Sequence, residues 1–313
     1  MKYPRSQILL GLLSFSFFCL SACSASIVNA GAASAGSGSG SSGSGSTGSG
    51  STGSGSGSSG SSGSGSSGSG SGSSGSGSSG SGSTGSEPDV PSDAVSISNI
   101  QALNDWVAID DPGTDGSAAG AMALVGSPSL SGNALEFNTT YSYYGGELYY
   151  ASFGDDTTSS NFVYDGWVYL SNSSGSIANL EMDMNQVMSN GETVIFGFQC
   201  DGWNGTWDYT ENAGTPTAPV DHWVRSSVAC NVQTWAQNTW HHVQVSYYRD
   251  AYGNATYQSV WLDGNQQQIN ATVPSAFALG WAPTLVTNFQ VDSIAPGWSS
   301  STVYLDNLTI SRW

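Results

Sequence analysis

Residues 179–186, NLEMDMNQ, alternate between apolar and polar side chains. Successive side chains of a β-strand point to opposite faces, so three polar groups share one face of this predicted strand: Glu181, Asp183 and Asn185. Two carboxyl groups about 5–5.5 Å apart can cleave a glycosidic bond, one as nucleophile and one as acid/base. The row therefore has the residue types of the acidic strand of a sugar-cleaving enzyme, unless it is only the polar face of an ordinary strand.

The elements that would position this row also have the pattern of strands. Between turn sequences rich in Gly, Asn and Asp lie segments rich in β-branched and aromatic residues, at 161–170, 192–200, 240–249, 257–264 and 302–310. A parallel sheet would need helices on both faces, and no segment offers the periodicity of one. The sequence therefore predicts one all-β domain over 87–313, an antiparallel two-sheet sandwich.

The beginning of the chain has the character of an export signal. Lys2 and Arg5 precede an apolar run over 8–20 that is too short to span a membrane as a stable helix. The run ends in LSAC, residues 20–23, which resembles the lipobox of bacterial lipoproteins. The alternative is an ordinary signal peptide that is cut at a small residue.

The lipobox resemblance implies a signal peptide over 1–22 and a lipid on Cys23, at the start of an N-terminal segment over 23–35. Acyl chains on Cys23 would hold the protein to a membrane without a spanning helix. In the lipoprotein sorting of Gram-negative cells, a residue other than Asp directly after the lipidated cysteine favours the outer membrane. Ser24 occupies this position, so we expect a lipid-anchored protein of the bacterial surface or periplasm, at the outer membrane.

Residues 36–86 consist almost entirely of Gly and Ser. Such a segment has no apolar side chains to offset the entropy of ordering, so we expect a disordered, flexible linker. Its mean reach would be about 40 Å.

The charge of the chain excludes one class of partner. The formal net charge is −18, and after the signal the chain has three arginines, Arg225, Arg249 and Arg312, and no lysine. Binding to phosphate backbones needs a basic face, so nucleic acid is excluded and anionic polysaccharides are disfavoured. Neutral glycans remain.

The predicted domain contains two cysteines, Cys200 and Cys230. An even pair in an exported protein predicts a disulfide. A bridge that closes about 30 residues would contribute roughly 3–4 kcal/mol to stability.

Three stretches of the domain resemble a known superfamily. WHHVQVSYYRD followed by YQSVWLDGN is similar to a hairpin of laminin G-like domains, and VYLDNLTI resembles the closing strand of β-sandwich sugar-binding modules. LEMDMNQ is similar to the acidic strand of family 16 glycoside hydrolases, Glu-x-Asp-x-Glu. Together they resemble the concanavalin A-like lectin/glucanase superfamily, which implies a jelly roll with its ligand across the concave sheet.

In the hydrolase motif, Glu181 matches the nucleophile and Asp183 the middle carboxylate. The acid/base position falls on Asn185, or on Gln186 if the strand carries a bulge. An amide cannot protonate a leaving group, and loss of general acid catalysis costs a factor of about 100 to 10,000. The groove would then bind a glycan without cleaving it, unless Asp201 or Asp208 supplies the acid.

Aromatic residues near Cys200 are the second indication of glycan binding. Sugar rings stack their apolar faces on aromatic side chains, and three tryptophans of the segment between the two cysteines are candidates: Trp203, Trp207 and Trp223. Packing in the sandwich core is their alternative role. Residues 141–150, YSYYGGELYY, are a further candidate for a groove wall.

No cofactor is expected, although oxygens of Asp306 or of the Asp111–Asp115 loop could hold a structural calcium ion. The sequence thus predicts a surface lipoprotein whose concave groove binds a neutral polysaccharide. In this groove Glu181, Asp183 and Asn185 would form hydrogen bonds. The alternatives are a family 16-like hydrolase or lyase with Glu181 as nucleophile, and a surface adhesion or structural module.

Overall fold

A computed structural model of the protein describes residues 87–313, and the predicted signal peptide, Cys23 and Gly/Ser linker lie outside this range. The described residues form seventeen β-strands. They are β1 (Val95–Ile97), β2 (Val107–Asp110), β3 (Ser117–Val125), β4 (Ala134–Ser142), β5 (Gly146–Ser152), β6 (Asn161–Leu170), β7 (Ile177–Val187), β8 (Thr193–Phe196), β9 (Phe198–Asp201), β10 (Thr206–Asn212), β11 (Asp221–Ala229), β12 (Trp240–Arg249), β13 (Asn254–Leu262), β14 (Asn265–Pro274), β15 (Ala276–Phe277), β16 (Thr284–Ser293) and β17 (Ser299–Arg312).

Helix is almost absent from residues 87–313. The helical segments of this range are three short 3₁₀ turns, Ile100–Ala102, Asn172–Ser176 and Val232–Thr234. Within the same residues, no helix is long and apolar enough to cross a membrane.

The strands form two antiparallel sheets, as the sequence predicts. One sheet has eight strands in the order β14-β13-β12-β6-β17-β4-β3, with β1 beside β17. The other has nine, in the order β11-β10-β9-β7-β16-β5-β2, with β8 beside β7 and β15 beside β8. All pairs within the two sheets are antiparallel, which confirms the predicted all-β sandwich.

Local sequence signals place several strands. Strands β6 and β12 coincide with the predicted segments 161–170 and 240–249. Asp263 (φ 51°) and Gly264 (φ 77°) both adopt positive φ between β13 and β14. A two-residue turn with this geometry matches the twist of a hairpin, and Gly adopts it without the clash that a Cβ would cause.

Aromatic side chains from both sheets fill the space between them. Phe289 of β16 stacks on Phe137 of β4, with ring centroids 4.8 Å apart, and Phe198 of β9 contacts Tyr247 of β12. Met182 and Met184 are fully buried in the same core. The two methionines therefore fix which face of β7 points away from the core.

The predicted disulfide is confirmed. Cys200 near the end of β9 is bonded to Cys230, which directly follows β11, with a Cα–Cα distance of 5.3 Å. The bridge joins the two ends of the excursion that runs out along β10 and back along β11.

Candidate functional site

The outward face of the nine-stranded sheet carries a cleft of about 820 Å³. Its floor comes from β7 and from its neighbour β16, which pair over Thr284–Ser293. The chain segments at 110–114 and 279–283 border it.

The predicted polar row lies on the floor of this cleft. Glu181, Asp183 and Asn185 all line it, while the methionines between them point into the core. The three side chains are only 7%, 6% and 3% exposed, respectively. They therefore lie at the bottom of the cleft, where a ligand must fill it to reach them.

A second polar row from β16 lies beside the first. In the register of the sheet, Asn288 is opposite Asp183 and Gln290 is opposite Glu181, and Asp292 follows on the same face. The sequence analysis missed this row, although Asn288, Gln290 and Asp292 alternate with apolar residues just as the first row does. That alternation was the signal that could have found it.

Aromatic and aliphatic side chains line the two sides of the polar floor. On one side Trp223 of β11 lies opposite Thr210. On the other side Tyr150 of β5 lies opposite Asn288, and Leu148 also lines the cleft. Of the predicted wall at 141–150, only Leu148 and Tyr150 line the cleft, whereas Tyr149 is buried in the core.

Two bordering segments are tied to the sheet. Gln290 Nε2 donates to Asp111 Oδ2 at 3.1 Å and to Asp292 Oδ1 at 3.0 Å, which fixes the 110–114 segment above β16. On the other side, the Gly280 N–H donates to the Gly191 carbonyl at 3.0 Å. Trp281 of the second segment lines the cleft as well.

The cleft is acidic and lacks a basic counterpart, because no Lys, Arg or His is among its described lining residues. Burial, and then the nearby Asp183, raises the pKa of the Glu181 carboxyl well above its ordinary value. Burial also raises the pKa of Asp183 to about 8, although a hydrogen bond from the Phe198 N–H at 2.8 Å opposes the rise.

Two other carboxyl groups of the cleft have raised pKa values. Burial and then Asp111 raise the pKa of Asp292 to about 8, and burial raises the pKa of Asp221 to about 6. Near neutral pH Asp183 and Asp292 therefore largely hold their protons, so that these two carboxyl groups can donate as well as accept hydrogen bonds.

Two of the predicted stacking residues do not line the cleft. Trp207 is fully buried, stacks on Phe198 at 5.0 Å and donates to Gln267 Oε1, so its prediction as a sugar platform is wrong. Strand β10 begins at Thr206, so Trp207 is its second residue. Successive side chains of a strand point to opposite faces, and Trp207 is on the face that points into the core. Trp203 is 42% exposed but packs against Tyr144 outside the cleft.

The two proposed substitute acids also lie outside the cleft lining. Asp201 accepts the N–H of Trp203 at 2.6 Å and a bond from the Asn204 amide, so it holds the β9–β10 turn. Asp208 Oδ1 accepts the Thr206 hydroxyl at 2.6 Å, and burial raises its pKa to about 7. Neither carboxyl group is among the residues that line the cleft, so neither is placed to protonate a ligand that binds there.

Two of the carboxylates considered for calcium, Asp306 and Asp111, accept hydrogen bonds from neighbouring residues. The buried Asp306 carboxylate accepts bonds from the Ser129 and Ser131 hydroxyls and from the Leu130 N–H, among others, so its oxygens are occupied by the loop before β4. Asp111 likewise accepts bonds from Gly113 and Gln290. Across residues 87–313, no group of three or more His, Cys, Asp or Glu residues is arranged to hold a metal.

No protein-family model and no curated protein matches this sequence. Solved structures that resemble it include carbohydrate-binding modules of the β-sandwich superfamily, described for their promiscuous specificity, at 10% identity and a TM-score of 0.35. That match covers 66% of this chain and 57% of the other, so the chain spans less than two thirds of that structure.

Two further structures represent a lyase and a binding module. Alginate lyase vAL-1 from Chlorella virus matches at 8% identity and a TM-score of 0.39, over 62% of this chain and 90% of that one. A family 11 carbohydrate-binding module from Clostridium thermocellum, in complex with a β-1,3-1,4-mixed-linked tetrasaccharide, matches at 15% identity and a TM-score of 0.33. That match covers 69% of this chain and 94% of the other. All these TM-scores are below 0.5, so the function of this chain rests on its own residues.

Proposed function

We propose that the protein binds a neutral polysaccharide in the cleft of the nine-stranded sheet without cleaving it. The observation that carries this proposal is the composition of the cleft: a floor of carboxyl and amide groups, aromatic sides at Trp223 and Tyr150, and no basic side chain among the described lining residues. Hydroxyl groups of a sugar pair with the floor, and its apolar ring faces pack on the aromatic sides.

The lack of a basic side chain among the described lining residues of the cleft supports the choice of a neutral ligand. A ligand carboxylate or sulfate would enter beside Glu181, Asp183 and Asp292 with no cation to pair with it. A buried anion without a counterion is strongly unfavourable. Neutral sugars avoid this cost because they need only hydrogen bonds.

The second candidate function is glycoside hydrolysis. The observation that favours it is the position of Asp292 on β16, diagonal to Glu181 and electrostatically coupled to it. Asp292 could therefore supply the acid that Asn185 cannot. This function ranks second because a nucleophile must be ionised, whereas burial raises the pKa of Glu181.

We further propose that the lipid predicted on Cys23 anchors this binding domain to the outer membrane, with residues 36–86 as the spacer. This part of the proposal rests on the sequence alone. Metabolic labelling with a palmitate analogue tests it: the wild-type chain should incorporate label and Cys23→Ser should not.

A glycan array followed by incubation with labelled oligosaccharides separates the candidate functions. The purified full chain should bind neutral glycans, bind no sulfated or uronic acid polymers, and produce no new reducing ends. New reducing ends that disappear in Glu181→Gln would establish the hydrolase instead. No retention on any glycan would contradict both functions and favour an adhesion or structural module.

A further inference from the structure

Two acceptor atoms at one end of the cleft have no hydrogen-bond partner. They are Oδ1 of Asn185, whose side chain is 3% exposed, and Oδ1 of Asp221, and both residues line the cleft. A buried acceptor without a donor costs about 1–3 kcal/mol. Native proteins contain few such groups, so a pair of them at one end of a binding cleft points to donors that arrive with a ligand.

The strand partners of the two acceptors that lie at this end of the cleft supply no donor. Asn185 is opposite Ile195 on β8, and Asp221 is opposite Asn212 on β10. The Asn212 amide is engaged elsewhere, because its Nδ2 donates to Ala276 O at 2.7 Å and its Oδ1 accepts the N–H groups of Gly214 and Val220. The apolar side chain of Ile195 also lines the cleft at this end.

The side chains at this end of the cleft suit contact with a sugar. Ile195 and the nearby Trp223 offer apolar surface to a ring face, while Asn185 and Asp221 offer acceptors to groups on the ring edge. Hydroxyl groups donate hydrogen bonds, whereas ether and ester oxygens only accept them. The pair of acceptors can therefore distinguish a free hydroxyl from an O-substituted one.

We propose that Asn185 on β7 and Asp221 on β11 form a subsite in which each accepts a hydrogen bond from a free hydroxyl group of the bound glycan, so that this subsite excludes O-methylated and O-acetylated sugars; this inference rests on the proposed function. An O-substituted sugar leaves both acceptors unsatisfied and adds bulk at the floor. A site built to hydrogen-bond a hydroxyl rejects analogues that lack the donor much more strongly than an apolar pocket does.

The test compares unsubstituted and O-methylated forms of β-1,4-linked glucose, mannose and xylose oligosaccharides by calorimetric titration of the purified full chain. The unsubstituted form of the sugar that binds should be preferred by roughly 5- to 150-fold, which corresponds to about 1–3 kcal/mol. In Asn185→Leu, which has similar volume but no acceptor, this preference should fall by at least about fivefold. Asn138→Leu is the matched control, an exposed strand residue of the other sheet, and should keep the preference.

The outcomes distinguish failure of the proposed subsite from failure of the proposed function. Binding of both forms with equal affinity, or an unchanged preference in Asn185→Leu, overturns the subsite but leaves glycan binding intact. Absence of binding by every unsubstituted oligosaccharide, confirmed on the glycan array, overturns both.

Discussion

The Asp183 carboxyl should make the folded protein less stable as the pH rises. Its pKa is raised from 3.8 to about 8 in the folded chain, chiefly by burial. A raised folded pKa means that the native state holds the proton between about pH 4 and pH 8, whereas the unfolded chain releases it. The stabilisation from this group is therefore complete below about pH 4 and is lost as the pH rises to about 8.

Replacement of Asp183 by Asn removes this pH dependence. Each pKa unit corresponds to about 1.4 kcal/mol, so the roughly three units between 3.8 and pH 7 set an upper limit of about 4 kcal/mol on the gain at neutral pH. An asparagine Oδ1 can still accept the Phe198 N–H bond, so the strand contact survives. We expect Asp183→Asn to be more stable than the wild type at pH 8 by about 2–4 kcal/mol and close to it at pH 4.

Urea denaturation followed by tryptophan fluorescence from pH 4 to pH 9 measures this difference. Asp89→Asn, an exposed residue at the start of the described chain, is the control with the same change in formal charge. A stability difference between Asp183→Asn and wild type that stays constant across the range, or that changes in the opposite direction, would refute the assignment of Asp183 as a buried carboxyl that holds its proton.

Three further perturbations test the framework around the cleft. Cys200→Ala with Cys230→Ala opens the 30-residue loop and should lower the free energy of unfolding by roughly 3–4 kcal/mol, measured by urea denaturation with the oxidised wild type as reference. Trp207→Ala should cost about 3–5 kcal/mol in the same assay, whereas Trp203→Ala should change stability little because its side chain is partly exposed. Asp306→Ala leaves the donors of the loop before β4 unpaired, so hydrogen exchange of the backbone amides at 130 and 131 should accelerate by at least about tenfold, a loss of about 1–3 kcal/mol.

Local alternation predicted the central strand of the cleft correctly. The apolar residues of β7 had to face the core, and their burial sends Glu181, Asp183 and Asn185 into the cleft. The same rule was available for β10, but Gly and Asn residues at 202, 204 and 205 are typical of a turn and obscure where the strand begins. The strand begins at Thr206, and its pleat turns Trp207 inward.

The partners of the polar row could not be predicted from local sequence. Strand β16 lies about a hundred residues after β7, and only the strand order of the folded sheet places Gln290 opposite Glu181. Asp221 is similar, because its place in the cleft depends on how the disulfide-linked excursion folds back along β10. The raised pKa values follow from this long-range assembly, since neither burial nor the distance between carboxyl groups is encoded within a single strand.

The central claim is that the cleft of the nine-stranded sheet is where a neutral glycan binds. Titration of the full chain, of Trp223→Ala and of Trp298→Ala with the glycan that the array identifies tests it directly, because Trp223 lines the cleft while Trp298 is 85% exposed outside it. The account predicts that Trp223→Ala weakens binding at least about tenfold, a loss of about 1.4 kcal/mol, and that Trp298→Ala binds like the wild type. Wild-type affinity in Trp223→Ala together with lost binding in Trp298→Ala would place the glycan elsewhere and contradict it.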